Sequence, residues 1–467
     1  MRRQTQCEAL GVALSTLGFA FGGLTSGPVN AQQAEAESGL VNLRVQQRSR
    51  YEALDDQMRQ GGSLSSSDIA LALQTSVFAD IGRGRVKFSG ELMDARHELN
   101  DEGSLLNTTM VNALEPLQAY ASMSFADFLQ GGSTSTLRAG RFTMDLGRRR
   151  FLARSGYRNT INSFAGLDWQ WRGKDGRNAR AFVVDPMRIL PSSRDELVDN
   201  EFELDRGNRD THFAGIFYQL KPLPGRDRLE LYWYGLDQAD RSNNDALPRD
   251  IDSFGFRLFR PSAKGTWSYE IETLWQTGES SATAAGVTRR KLDHDAEFYH
   301  WEVGYAFDTA WSPVLLLQFD SASGDEDPFD DRNEGFDTLF GERRFDFAPQ
   351  GIWGAFARGN LRTPGLRLTM SPKPRWQTML SYRSFDLEAA RDVWSGVGLR
   401  DLTGQAGTSI GQQLEGSFTW SAVKDRLSLE TGFAHIWAGR FFRETSGTNF
   451  RGDPTYFYLT LTTNFSQ

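Results

Sequence analysis

Cysteine is all but missing from this sequence: the single one, Cys7, stands ahead of the first apolar stretch. A lipoprotein acceptor follows its apolar segment, so Cys7 is not one, and the rest of the chain has no disulfide or thiol chemistry. Histidine is scarce too. His97, His212, His294, His300 and His435 are scattered, without metal-ligand spacing and without a serine or aspartate at a recognisable catalytic distance. That weighs against a metal centre and against a lipase carried on a barrel, so no enzyme is expected. After the N-terminal segment there is no apolar run of about 18 residues or more, which excludes a helical membrane protein. Nor does positive charge predominate: 52 Lys and Arg stand against 60 Asp and Glu, for a net charge of −8. An acidic chain is a poor partner for nucleic acid. No glycine-spaced phosphate loop with a Lys-Ser/Thr pair occurs, so no ATP site is visible.

What the chain does have is aromatic and periodic. Aromatic residues make up 12%, with 12 Trp, while mean hydropathy is negative. A transmembrane β-barrel has this composition, because lumen-facing residues dilute every apolar segment. At the N-terminus, Arg2 and Arg3, the apolar stretch 11–24 and Val29-Asn30-Ala31 form a targeting segment with a small-residue cleavage site. The organisation expected is a cleaved signal peptide over 1–31, a flexible lead-in over 32–39 and one barrel domain over 40–467. Loss of Arg2, Arg3 and Glu8 with the signal takes the net charge from −8 to −9.

Strand-like segments recur from residue 40 onward, clearest at 40–52, 69–80, 213–220, 229–236, 267–276, 298–307, 376–385 and 427–437. Trp267, Tyr269, Ile271, Thr273 and Trp275 alternate with Ser268, Glu270, Glu272, Leu274 and Gln276, the period of a strand with two unlike faces. Short turns at 82–84, 173–177, 222–227, 262–265, 371–375 and 422–425 alternate with long polar connections at 55–67, 100–112, 147–162, 186–208, 238–250, 278–295, 324–359, 389–407 and 439–453. Tight periplasmic turns and long extracellular loops are the mark of an outer-membrane barrel. The fold class expected is all-β, a single-domain transmembrane antiparallel β-barrel of about 18 strands. Ile352 to Phe356 is taken as loop, because a strand there would break the alternation. In the last stretch, Phe457, Leu459, Leu461 and Phe465 share one parity and Tyr458, Thr460, Thr462 and Asn464 the other. It resembles the terminal strand of bacterial outer-membrane barrels, which closes against the first. Trp169, Trp171, Trp233, Trp267, Trp301, Trp376, Trp420 and Trp437 read as interfacial girdles; Tyr232 and Tyr234, of lumenal parity, are the candidates for sugar stacking.

A barrel of this size encloses an aqueous channel. In the first strand Val41, Leu43 and Val45 oppose Arg44, Arg48, Arg50 and Glu52, and lipid will not accept the charged face. Arg367 and Arg383 lie on similar polar faces. The densest basic stretch, 139–159 (AGRFTMDLGRRRFLARSGYRN), carries Arg141, Arg148, Arg149, Arg150, Arg154 and Arg158. Guanidinium forks bind carboxylates, and rings of them select anions in pores.

That run, continued as RNTINSFAGLDWQW, resembles the alginate-export family of outer-membrane barrels. So do 323–340 (SGDEDPFDDRNEGFDTLF), Phe356-Ala357-Arg358-Gly359-Asn360-Leu361 and Ile410-Gly411-Gln412-Gln413-Leu414-Glu415, and the likeness spans nearly the whole chain after the signal. The resemblance implies an eighteen-stranded barrel whose constricted, electropositive lumen passes a polyuronate. It implies pore arginines at Arg141, Arg158 and Arg358 and, more loosely, at Arg48 and Arg50. The pore-lining set expected is therefore Arg44, Arg48, Arg50, Arg141, Arg149, Arg158, Arg358, Arg367 and Arg383. Leu137 and Ala139 look lipid-facing, which puts Arg141 on the wrong parity unless a bulge at Gly140 turns it inward. The connection 324–359 is the candidate plug. Its acids, Asp325, Asp327, Asp330 and Asp331 among them, offer oxygen ligands for calcium but lack EF-hand spacing, and a solvated loop is the simpler reading. No cofactor is expected.

The leading function is passive export of an anionic exopolysaccharide, alginate-like, by a monomer in the outer membrane of a Gram-negative bacterium. Its partners would be the polymer, outer-membrane lipid and a periplasmic synthesis or export complex that supplies the drive. The alternative is an anion-selective porin taking up small solutes; a lumen without a loop plug would favour it.

Overall fold

The computed structural model describes residues 41–59, 64–239 and 247–466. The signal peptide and lead-in expected over 1–39 lie outside the described residues. Of twenty strands, two are two-residue pieces, Arg206–Gly207 and Arg332–Asn333. The other eighteen form the barrel: β1 (Val41–Asp55), β2 (Asp68–Arg83), β3 (Val86–Glu98), β4 (Asn112–Ala126), β5 (Thr134–Phe142), β6 (Phe164–Arg172), β7 (Asn178–Arg188), β8 (Thr211–Gln219) and β9 (Arg228–Gln238). They continue with β10 (Arg249–Arg260), β11 (Thr266–Ala284), β12 (Val287–Ala306), β13 (Val314–Ala322), β14 (Leu361–Met370), β15 (Trp376–Asp386), β16 (Ser409–Val423), β17 (Leu427–Ala438) and β18 (Thr455–Ser466). Each pairs antiparallel with the next, and β18 returns to β1, with Thr460 opposite Arg50 and Phe465 opposite Val45. Closure leaves no edge, which is what lets strands sit in lipid at all.

Parity decides the two faces. Phe88, Leu167, Val183, Ile216, Leu231, Leu317, Leu380, Phe457 and Phe465 stand exposed on the outer wall, where lipid covers them. The inward positions alternate with these and are buried: Arg48, Arg50, Glu52 and Leu54 on β1, Tyr456 and Tyr458 on β18. Trp267, Trp301, Trp420 and Trp437 are exposed as an interfacial girdle requires. Trp171 is not. Its ring is buried beneath the periplasmic turn 127–133, and its Nε1 donates to the Phe128 carbonyl at 2.8 Å.

One expectation about connections changes. The stretch 278–295 is strand almost throughout, because β11 and β12 run on past the membrane band and meet at Ala285-Gly286 (φ 49° and 75°), a tight hairpin turn. Beyond the membrane both faces meet water, so the apolar alternation that marks a strand is lost there. The periplasmic connections 127–133 and 307–313 are short turns as well. Ile352 to Phe356 is loop, as expected.

Arg141 is the second change. No bulge occurs at Gly140: β5 keeps an unbroken register from Thr134 to Arg141 against β4 and from Thr134 to Phe142 against β6. Gly140 instead takes φ 129°, where an added Cβ would come within 2.4 Å of the Ala119 carbonyl oxygen. The irregular register lies one strand earlier, between Glu91 and Ala95 of β3 and their β4 partners. It brings Glu115 round to Arg141, which also meets Asp205 at 2.7 Å and Ser163 at 2.9 Å.

Candidate functional site

Loops 143–163 and 324–360 fold into the barrel and join each other. Ala153 N donates to Phe340 O (3.1 Å), Phe340 N to Phe151 O (3.0 Å) and Glu342 N to Arg149 O (2.9 Å). Their apolar side chains meet inward-facing rings of the wall. Phe151 packs on Tyr232 and Phe298, Trp353 stacks on Tyr456, and Phe356 lies 3.6 Å from Phe385, nearly parallel. Tyr232 and Tyr234 do face inward, but they are buried against this packing.

The arginines that sequence reasoning placed on the pore wall mostly grip these loops by their carbonyl groups. Arg48 donates to Gly156 O and, at 2.7 Å, to Arg158 O; Arg50 donates to Tyr157 O at 2.6 Å and pairs with Glu52. Arg367 donates to Phe345 O and to Asp346 O (2.8 Å). Arg383 donates to Asp346 O (3.0 Å) and pairs with Asp320. Arg358, on the loop itself, bonds Glu342 O (2.7 Å), Arg150 O (3.2 Å) and the Asp346 carboxylate. Arg44 sits nearer the periplasm, over the Phe78 ring and 3.6 Å from Asp80. Arg149 reaches Glu342 at 3.4 Å, and Arg158 donates to Asn162.

A buried charge network lies beside these contacts. Arg150, 1% exposed, holds Glu270 and Glu272 of β11 together with Asp346, whose two oxygens it forks at 2.9 and 3.2 Å. Arg257 bridges Glu230 (2.7 Å) and Glu270 (3.2 Å), and His300 meets Asp320 at 2.7 Å. The lumen is thus charge-compensated over much of its wall rather than uniformly basic. Sequence reasoning noted Arg150 within the basic stretch but left it out of the pore-lining set, and passed over Asp346. The acids of β11 were visible, since Glu270 and Glu272 share the inward parity with Ser268 and Gln276.

One group of arginines has few acids near it, Arg358 alone of the four pairing with a carboxylate among the described residues. Arg59, Arg158, Arg343 and Arg358 come from three loops. Arg59 donates to the carbonyls of Ile352, Trp353, Gly354 and Gly396 and meets no acid. Burial first, then the neighbouring Arg59, Arg158 and Arg358, push the Arg343 guanidinium down to about 9, with no acid acting against them. It stays cationic at neutral pH, and among the described residues its side chain has no hydrogen bond or ion pair.

The acids of loop 324–360 are drawn into contacts with neighbouring residues. Among the described residues, no group of three or more His, Cys, Asp or Glu is arranged to hold a metal ion. Asp327 pairs with Arg391 at 3.2 Å, and Asp330 accepts the Arg332 N–H at 2.8 Å. Asp325 is buried, and its backbone N–H donates to Asp392, which pairs with Arg400. Burial, then Asp392, Asp330 and Glu334, push its carboxyl up to about 7, against Arg400. The folded chain therefore keeps a proton that the unfolded chain loses near pH ~4. Stability from this group is highest below that value and is lost as pH rises through about 7. Protection factors in loop 387–408, exchange rates divided by the intrinsic rate at the same pH, should be higher at about pH 5.5 than at about pH 8, and Asp325→Asn should erase the difference. Equal protection factors in the unmodified protein would refute this.

A model of the alginate-export family matches residues 40–452. The chain belongs to that family. Its members are outer-membrane barrels of Gram-negative bacteria, and this member is an outer-membrane barrel of the channel type. No curated protein sequence matches it. Solved structures share the fold. Acinetobacter baumannii OccAB4 is similar with TM-score 0.59 and 12% identity over 94% of this chain and 100% of that one. Pseudomonas aeruginosa OpdQ gives 0.55 and 14% over 91% and 98%. P. aeruginosa OpdK, solved with vanillate, gives 0.56 and 12% over 91% and 99%. His294 meets Ser280 at 3.1 Å through Nδ1, and its Nε2 faces the Gln276 amide oxygen at 3.5 Å.

Proposed function

We propose that this family member conducts solutes carrying carboxylates, with an acidic polysaccharide leaving the cell as its main cargo. One observation carries the reading: Arg343, cationic and without a partner, lies among Arg59, Arg158 and Arg358 on loops inside the barrel. Arg343 is half-buried, and a guanidinium so placed without a partner gains from an anion that faces it. A carboxylate passing this point supplies one, and the guanidinium fork suits its geometry. Because the cluster stands on loops rather than strands, each contact is easily surrendered to the next, as conduction requires. The family match and the two loops inside the barrel support export of a polymer over general uptake of small anions. No energy source is built into the chain, so polymer synthesis or a periplasmic complex would push the cargo.

In planar bilayers the refolded protein should be anion-selective, and galacturonate oligomers should reduce its current. Arg343→Gln should weaken that block by roughly tenfold, the worth of one charge-assisted contact, while Arg343→Lys keeps most of it. A cation-selective pore indifferent to the oligomers would sink the proposal. Galacturonate monomer blocking as well as the oligomer would transfer it to the small-anion porin.

A further inference from the structure

The periplasmic end of the barrel is basic, in a chain whose net charge is −8. Its eight turns with their flanking residues (83–87, 127–133, 172–177, 221–228, 260–265, 307–313, 371–375 and 424–426) hold fifteen Lys and Arg against five Asp. At several turns the charge is answered on the spot. Arg177 pairs with Asp175 at 2.8 Å, Arg260 with Asp227 at 2.6 Å and Lys264 with Asp308 at 3.7 Å. The turn between β2 and β3 is different. Arg83, Arg85 and Lys87 are all exposed there, and among the described residues none of their side chains meets an acid. Three like charges within five residues repel one another unless an anion lies among them.

The wall beside this turn is apolar. Arg83 lies opposite Val86 of β3, and Val86 opposite Met123 of β4; one outward row further into the membrane, Ile81 lies opposite Phe88. Ile81, Val86, Phe88 and Met123 all stand exposed on the outer face, where hydrocarbon covers them. The three cations therefore sit at the depth where lipid chains end and headgroups begin. An amphiphile with an anionic head matches both halves of this patch, and basic clusters at a membrane boundary attract anionic lipid. The periplasmic leaflet of an outer membrane is built of phospholipid, which has its phosphate at that depth. Cargo in the lumen does not reach the outer wall, and a periplasmic protein would leave the apolar half of the patch unused.

We propose that the β2–β3 turn and the outer wall beside it bind an anionic phospholipid of the periplasmic leaflet. Its phosphate is held by Arg83, Arg85 and Lys87, and its chains lie on Ile81, Val86, Phe88 and Met123. Native mass spectrometry of the refolded full chain, offered phosphatidylglycerol and phosphatidylcholine in equal amounts, tests this. Both lipids carry a phosphate, but only phosphatidylglycerol has a net negative charge. The unmodified protein should retain phosphatidylglycerol over phosphatidylcholine by roughly tenfold or more. Arg83→Gln, Arg85→Gln and Lys87→Gln together should remove that preference. Lys221→Gln, Lys264→Gln and Lys424→Gln together take the same charge from other turns and should leave it. Glycerol phosphate, an anion without chains, should not displace the lipid. Should the first triple variant fail to fold, hydrogen exchange of 81–88 in the unmodified protein reads the same event. It should be slower in nanodiscs of phosphatidylglycerol than of phosphatidylcholine, with 221–228 alike in both. Equal retention of the two lipids, equal loss in both triple variants, or displacement by glycerol phosphate would overturn the site. The conduction proposed above concerns the lumen and does not depend on this result.

Discussion

Arg150→Ala should lower the stability of the refolded protein by about 3–5 kcal/mol, the cost of breaking a buried ion network by removing one member. Arg150 is 1% exposed, and its loss leaves Glu270, Glu272 and Asp346 facing one another with a single guanidinium gone from among them. Arg257 still reaches Glu270, and Arg358 still holds Asp346, but Glu272 keeps only the Tyr232 hydroxyl at 2.9 Å. Urea unfolding followed by tryptophan fluorescence measures the loss. Adding Glu270→Gln and Glu272→Gln should return part of it, because the repulsion among the stranded acids is then gone. The deficit should also shrink on acidification, since stranded carboxylates take up protons. A variant that unfolds at the original urea concentration would show that the network contributes nothing net.

Leu461→Pro should abolish the folded barrel altogether. Leu461 lies on β18 opposite Ser49 of β1 and Leu429 of β17, so it is interior to the sheet on both sides, at the seam where the barrel closes. Proline removes its N–H and pushes its ring into the ladder. In lipid no water replaces the lost partner, and each unsatisfied group costs several kcal/mol. Loss of pairing at the seam also uncovers two edges where the closed sheet had none. Leu461→Val, which keeps both the N–H and the apolar face, should assemble normally. The readout is the difference in electrophoretic mobility between unheated and boiled samples, together with membrane insertion. A normal yield of folded Leu461→Pro would mean that closure does not depend on this ladder.

The barrel was legible because its cause is local. Val45 against Arg48, or Phe457 against Tyr458, states on each strand which side meets lipid, and hydrocarbon enforces that choice residue by residue. Where hydrocarbon ends, so does the signal: the outer halves of β11 and β12, wet on both faces, read as a polar loop and are strand. Arg141 shows another limit. Its parity was correctly read as outward along β5, yet the device that reconciles it with Glu115 is a register irregularity between β3 and β4, two strands that meet at a point their own sequences do not reveal. Arg48 and Arg383 were recognised as lumenal, but not as donors to Gly156, Arg158 and Asp346 carbonyl groups, because a backbone carbonyl is the same in every residue.

By itself, the sequence determined the barrel: its strand number, its closing pair, its inward arginines and its family likeness. These follow from alternation enforced by a two-phase environment and from the lengths of the connections between strands. Only the tertiary structure decided which of those arginines are already spent. Arg150 and Arg343 stand seven residues from Tyr157 and three from Asp346 along the chain, and neither spacing says that one is surrounded by acids and the other by arginines. Charge compensation inside a barrel depends on which loops meet across the lumen, and that is set by packing between segments far apart in sequence.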